Sequence, residues 1–375
     1  MGEEYPFLTP QTTIVRTPEH QPRDEHALAE WFAPAALERH RARPRGRPAF
    51  TLLAEAAGSA VGACLLAHER RALGAAALDV AALELRSARA ELLEPLLAAA
   101  ASAAADAGLP FLTLRGAPAA YAAFGLAPCA LRSAVALPPL PPAPLRHVSA
   151  ADAEDLAALA AALPGLPLAP LRAPPDWRWL LAAPQGWLAL DDGRGRLVAY
   201  GRLVGGTVVE AAAADAGAAR TLLGGLAGHG ARTLALPPAH PVARAALLLG
   251  GAGRLDTPPA DGDAELWGVV DLPAALEALA PELARRLAGS RYAGWSGAVR
   301  LQGDAGAATI RCAAGAVEAS GAPGPVDVIV GGLGLAGAAQ LILGYRQAAD
   351  LRATGELRCA DVDLGLVDVL FPPLL

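Results

Sequence analysis

Cysteine is scarce and scattered: Cys64, Cys129, Cys312 and Cys359 form no CxxC pair, which argues against both a disulfide framework and a zinc knuckle. Histidine is dispersed in the same way. The seven, at 20, 26, 40, 68, 147, 229 and 240, make no HExxH motif and no close ligand pair with a carboxylate, so no metal is expected. His240, just before Pro241, reads as a surface or helix-start residue. No GxSxG elbow is present. The glycines at 332, 334 and 337 precede a helix and read as a tight turn rather than a nucleotide loop. An excess of basic charge is also missing. Thirty-one Lys and Arg stand against 37 Asp and Glu, a net charge of −6, which disfavours a general nucleic-acid surface. The local exception is RHRARPRGR at 39–47, either a solvated turn or an entry patch for an anionic ligand.

Long apolar runs are absent too. Hydrophobic residues reach 54% and charged residues only 18%, but much of that is alanine, which adds little side-chain area. The richest run, Leu92–Ala105, is interrupted by Glu94, Pro95 and Ser102. It falls short of the roughly 20 residues a membrane helix requires. The opening MGEEYPFLTP is acidic where an export signal is basic. These features lead us to expect a cytoplasmic protein with no membrane span.

At about 100–200 residues per domain, 375 residues predict two or three domains. We place them at 1–140, 145–265 and 266–375, with the stiff PPLPPAP linker closing the first. In the first, strands at 50–56, 60–68 and 76–83 lead to a long helix at 88–107, ended by Gly108. A strand at 110–114, a short helix at 118–124 and a last strand at 129–137 follow. The second segment repeats this order in reduced form. Both place a helix before G-x-x-x-L-x-L, as Gly108–Leu114 and Gly230–Leu236, so an internal repeat or two unrelated αβ pieces account for it. The third opens with a strand at 266–270 and a helix at 273–288, with Asp271 at the N-cap. A meander, a further strand and three helices close the chain. Trp177, Trp179 and Trp187 cluster in the second segment, as core filling or as a substrate wall.

The strand ending Thr113–Leu114–Arg115–Gly116 is followed by Pro118, Tyr121, Phe124 and Gly125, in the pattern P-x-x-Y-x-x-F-G. This resembles the C-terminal half of a GNAT-superfamily acetyltransferase domain. The order of motifs along the chain resembles the three-part acetyltransferases of the enhanced-intracellular-survival type. Its closing run includes Leu343–Gly344–Tyr345–Arg346 and later Leu370–Phe371–Pro372. The resemblance implies an α/β and α+β fold: tandem GNAT-like domains, each a mixed, mostly antiparallel sheet flanked by helices, then a sterol-carrier-protein-like α+β domain.

It further implies acetyl-CoA as co-substrate and transfer of the acetyl group to an amine by direct attack. The amine would be a small molecule or a lysine side chain. Tyr121 would protonate the leaving thiolate, or it is a half-buried packing residue. The C-terminal carboxylate, here Leu375, would serve as base. The backbone of Val80, Ala81, Ala82 and Leu83 would polarise the thioester carbonyl. Arg86, Ser87, Ala88, Arg89 and Ala90 match the loop that holds the CoA pyrophosphate on backbone N–H groups and a helix N-terminus. Family precedent implies a homo-oligomer. One departure weighs against activity: Arg89 and Glu91 stand where the loop's glycines belong, and Glu91 sets negative charge beside a pyrophosphate. The alternative is a non-catalytic descendant that binds an apolar or acyl ligand or acts as an assembly module.

Overall fold

The computed structural model describes residues 12–17, 28–32, 34, 37, 40, 47–56, 59–87, 89–130, 132–163, 166–182, 186–256, 264–313 and 315–373. They fall into two compact units. One gathers the described residues up to Cys129 together with 264–373, and the other gathers 130–256. No helix among the described residues is long and apolar enough to cross a membrane.

Along the chain the strands are β1 (Thr12–Thr17), β2 (Ala49–Ala56), β3 (Ser59–Leu73), β4 (Ala76–Ser87), β5 (Phe111–Gly116), β6 (Ala127–Pro128), β7 (Arg132–Ala136), β8 (Arg146–His147) and β9 (Trp187–Asp191). They continue as β10 (Leu197–Val204), β11 (Thr207–Ala213), β12 (Thr233–Leu236), β13 (Ala252–Asp256), β14 (Ala264–Val269), β15 (Gly297–Gly303), β16 (Gly306–Ala313), β17 (Ala316–Ser320) and β18 (Val328–Leu333).

In the first unit one sheet runs β1-β2-β3-β4-β5-β14-β6. Its pairs are antiparallel except β4 with β5, which a crossover helix, α1 (Leu93–Asp106), joins in parallel. Period-two alternation sorts the side chains. Leu52, Cys64, Leu66, Ala81, Leu83, Leu112 and Leu114 share one core with Leu96, Ala99, Ala100 and Ala103 of α1. Leu53, Ala63 and Leu65, of opposite parity, pack with Leu28, Phe32 and Leu37.

The expected strand at 266–270 exists, but it lies inside this first sheet. Leu266 pairs with Leu114 and Trp267 with Thr113 on one side, and Trp267 pairs with Ala127 on the other. The expected strand at 129–137 also exists, as β7, and it pairs with β12 and β13 in the second unit. Alternation specifies which face of a strand is buried, not which strand lies beside it.

The same unit holds a second sheet, β17-β16-β15-β18. Helix α7 (Leu272–Ala288) packs against β16 and β17 and against β4 of the first sheet. Asp271 caps it, accepting from Ala274 N–H at 3.0 Å, as the sequence predicts. Helices α8 (Leu335–Ile342), α9 (Ala348–Ala353) and α10 (Asp361–Leu370) follow.

The sheet of the second unit runs β13-β7-β12-β11-β10-β9-β8. Helices α3 (Ala153–Ala161) and α4 (Pro174–Leu180) precede β9, and a parallel pair, β11 with β12, again flanks a crossover helix, α5 (Ala216–Gly228). The two crossover helices end alike. Gly108 and Gly230 both take left-handed φ, +70° and +91°. The next N–H reaches back to a carbonyl of the last turn in each case, Leu109 to Ala104 and Ala231 to Leu226, both 2.9 Å. The repeated G-x-x-x-L-x-L is thus a helix stop followed by a buried strand. Trp177, Trp187 and Tyr200 meet at ring separations of 5.3–5.9 Å. At 1–2% exposure these three fill the core, so Trp177 and Trp187 follow the core-filling reading, whereas Trp179 is only half-buried.

His240 caps helix α6 (Pro241–Leu248), but it is buried, at 3% exposure, and does not lie on the surface. Its Nδ1 accepts from Val242 N–H at 3.1 Å, so Nε2 carries the proton and donates to the Ala211 carbonyl at 3.0 Å. Burial drives its pKa down to about 4, against the opposing pull of the Ala211 carbonyl and Glu210. The unfolded chain takes up this proton near pH 6.5 and the folded chain only near 4. Stability from this group is therefore complete above about pH 6.5 and lost as pH falls toward 4. Denaturant midpoints measured between pH 7 and 4 are expected to fall in the wild type. They should fall less in His240→Asn, which keeps a capping acceptor without the titration.

Candidate functional site

The pairing of β4 with β5 runs from Val80–Phe111 to Leu83–Leu114 and stops there, while β4 continues to Ser87 and β5 to Gly116. The two parallel strands part, and the β4 edge facing β5 leaves the ladder from Glu84 onward. This placement bears on the candidate carbonyl-polarising backbone. Val80, Ala81, Ala82 and Leu83 are engaged with β5 on one edge and with β3 on the other. The open edge starts one residue later, at Glu84–Ser87.

Arg86 projects from this open stretch with its side chain exposed and Glu84 at 3.9 Å, a weak solvent-screened pair. Ser87 turns inward on its own loop. Its hydroxyl donates to the Arg89 carbonyl at 2.7 Å and accepts from Arg89 N–H at 3.2 Å. Arg89 is extended, at φ −135° and ψ 130°, and begins a 3₁₀ turn, Ala90–Leu92, that runs into α1. The backbone at 89 therefore places no demand for glycine. Among the described residues no side-chain cap closes this helix start. In the second unit the corresponding start is closed, because the Asp215 carboxylate accepts from Ala218 N–H at 2.8 Å. An uncapped first turn leaves N–H groups for an outside anion, and a carboxylate cap removes them. Glu91 and Glu94 lie exposed in this first turn. Ala88 and Leu375 lie outside the described residues.

Tyr121 ends the short helix α2 (Pro118–Tyr121). Its ring lies against the end of β5: a Cβ added to Gly116 would stand 2.5 Å from Tyr121 Cε2. The ring is half-buried on the α1 core, beside Phe124, and its hydroxyl bonds no described residue. Burial pushes the phenol above its ordinary value, the Arg86 guanidinium pulls it back, and Cys64 adds a smaller upward push. Tyr121 and Arg86 thus face one region, where the strands part.

Cys64 is fully buried, with its thiol pushed up to about 12 by burial and then by Glu84, so it is no nucleophile. Among the described residues no cluster of His, Cys, Asp and Glu could hold a metal. The sequence placed Gly116 at the end of the strand but did not show that the Tyr121 ring lies on it. The only signal was a glycine closing a strand just ahead of the tyrosine helix.

No family model matches the sequence, and no curated protein is similar to it at the sequence level. Solved structures share the fold over nearly the whole length. A GCN5-related N-acetyltransferase from Kribbella flavida superposes with a TM-score of 0.66 at 17% identity, covering 97% of this chain and 96% of its own. Eis1 from Mycobacterium abscessus gives 0.58 at 18% identity, covering 96% and 97%. A GCN5-related N-acetyltransferase from Anabaena variabilis ATCC 29413 gives 0.66 at 14% identity, also covering 96% and 97%. The chain has the tandem GNAT-like fold of these proteins.

Proposed function

We propose that the first unit transfers an acyl group, acetyl in the simplest case, from acetyl-CoA to an amine by direct attack. The observation that carries this reading is the parting of β4 and β5 beside an uncapped helix start and the Tyr121 phenol. An unpaired strand edge offers N–H and C=O groups to an extended, amide-bearing ligand, as a further strand would. The pantetheine arm of CoA is such a ligand. In this reading the thioester carbonyl is polarised from the open edge, Glu84–Ser87. The pyrophosphate sits at the N–H groups of Ala90 and Glu91, since that of Leu92 already donates to the Arg89 carbonyl at 3.2 Å, and Arg86 adds positive charge. The neutral amine attacks the carbonyl carbon, the C–S bond breaks and the Tyr121 hydroxyl proton passes to the leaving thiolate; the proton that the nitrogen sheds on becoming an amide goes to solvent, which reprotonates Tyr121. The acceptor is an amine, with polyamines, aminoglycosides and lysine side chains as the classes to test.

Calorimetric titration with acetyl-CoA tests it. We expect micromolar affinity, weakened about tenfold or more in Arg86→Ala through loss of a charge-assisted contact. Absence of binding up to millimolar acetyl-CoA would sink the proposal. The exposed carboxylates Glu91 and Glu94 favour one competing reading under that outcome, in which the fold is kept without acyl transfer. The ligand would then be apolar or acyl and held by the C-terminal part, which the resemblance read from the order of sequence motifs likens to a sterol carrier protein.

A further inference from the structure

The helix that carries Tyr121 is too short to hold itself. It is a single turn, Pro118–Tyr121, continued by a 3₁₀ turn at Ala122–Phe124. Helices of this length are unstable alone, because nucleation outweighs the few bonds gained. The Tyr121 hydroxyl does not anchor the ring either, since it bonds no described residue. The position of the phenol is therefore set by what the segment 116–128 packs against.

Gly116 lies under the ring. At the far end of the turn, Gly125 takes φ +76°, and the space where its Cβ would stand is filled by Leu335, the first residue of α8. Further along α8, Gln340 donates from Nε2 to the Pro128 carbonyl at 3.3 Å, just past the turn. Helix α8 also packs on β14 and β6, the strands that close this side of the sheet. One helix of the C-terminal segment thus grips the Tyr121 turn at Gly125 and the strand after it at Pro128.

We propose that α8 sets the position of Tyr121, with Leu335 and Gln340 acting as positioning residues for acyl transfer; this rests on the reading of Tyr121 as the proton donor. Leu335 blocks the turn from sliding, and Gln340 ties down the strand that follows. Trimming Leu335 opens space beside a left-handed glycine and allows α2 to tilt. A displacement of about 1 Å at a reacting group can lower turnover about a hundredfold. The C-terminal segment is then part of the acyltransferase machinery.

The test uses full-length protein with ¹³C-labelled tyrosine rings, and the chain has only five tyrosines. The Tyr121 resonance is identified by its loss in Tyr121→Phe. In Leu335→Ala it is expected to move, and the titration midpoint of the phenol to fall, because burial is what raises it. Leu335→Met should restore both. Leu301→Ala empties a fully buried site in the four-stranded sheet and should leave the Tyr121 signal in place. Turnover of acetyl-CoA with spermidine, an aminoglycoside or a lysine peptide should drop about 10- to 100-fold in Leu335→Ala, with acetyl-CoA affinity kept. An unmoved Tyr121 signal and midpoint in both Leu335→Ala and Gln340→Leu would overturn the positioning role. A moved signal together with undiminished turnover in Tyr121→Phe would keep that role and remove the proton donor.

Discussion

Tyr121→Phe is expected to lower turnover about 10²- to 10⁴-fold, the span that general acid catalysis supplies, while acetyl-CoA affinity stays the same. The substitution isolates the proton. Phenylalanine keeps the ring against Gly116 and on the α1 core, and the hydroxyl it removes bonds no described residue, so folding contacts survive. The pH profile carries the same signature. Burial holds the phenol above the ordinary tyrosine value near 10, so it stays protonated through neutral pH and donates there. Activity should fall on the alkaline side as the phenol ionises, and Tyr121→Phe should lack that limb. Because Arg86 pulls the phenol down, Arg86→Ala should move the limb to higher pH. A limb that is the same in wild type and Tyr121→Phe would assign the proton to another group.

Local patterns made Tyr121 legible, and long-range pairing hid its surroundings. The run P-x-x-Y-x-x-F-G specifies a proline-started turn, a tyrosine and a left-handed stop, and all three appear where the sequence places them. What the sequence could not show is that β14 separates β5 from β6, or that β7 pairs in another sheet. A strand such as Ala264–Val269 carries an apolar pattern that many neighbours would satisfy. His240 shows the same division on a smaller scale. Its place before Pro241 identifies a helix start, whereas its burial comes from the approach of Ala211 on β11, which no local pattern encodes. At the site, the pattern indicated β4, but only the register with β5 shows that the open edge begins beyond Leu83.

Replacing Glu282 by alanine is expected to destabilise the first unit by about 3–5 kcal/mol, the cost of stranding a buried charge. In sequence E-x-x-R-R looks like an exposed helical pair at i,i+3 and i,i+4. In the fold the β3–β4 hairpin covers it. Gly74 turns at φ +59° directly over the carboxylate, where a Cβ would collide with it. Glu282 is 2% exposed and accepts from Ala75 N–H at 2.8 Å and from Arg285 and Arg286 at 2.7 Å. Arg286, itself buried, donates onward to the Leu370 carbonyl at 2.7 Å, so the carboxylate ties the hairpin tip, α7 and the end of α10 together. Burial alone would raise this carboxyl; Arg285, the Ala75 N–H and Arg286 hold it down at about 2. Its contribution is therefore complete above the unfolded carboxyl value near 4.5 and lost as pH falls toward 2. Glu282→Ala leaves Arg286 buried without its partner, so the full loss should appear at neutral pH as a lower denaturant midpoint. The double variant Glu282→Leu with Arg286→Met should recover much of it, because matched apolar side chains strand no charge. A midpoint as low in the double variant as in Glu282→Ala would show that the hairpin contact at Ala75, not the buried pair, carries the stability.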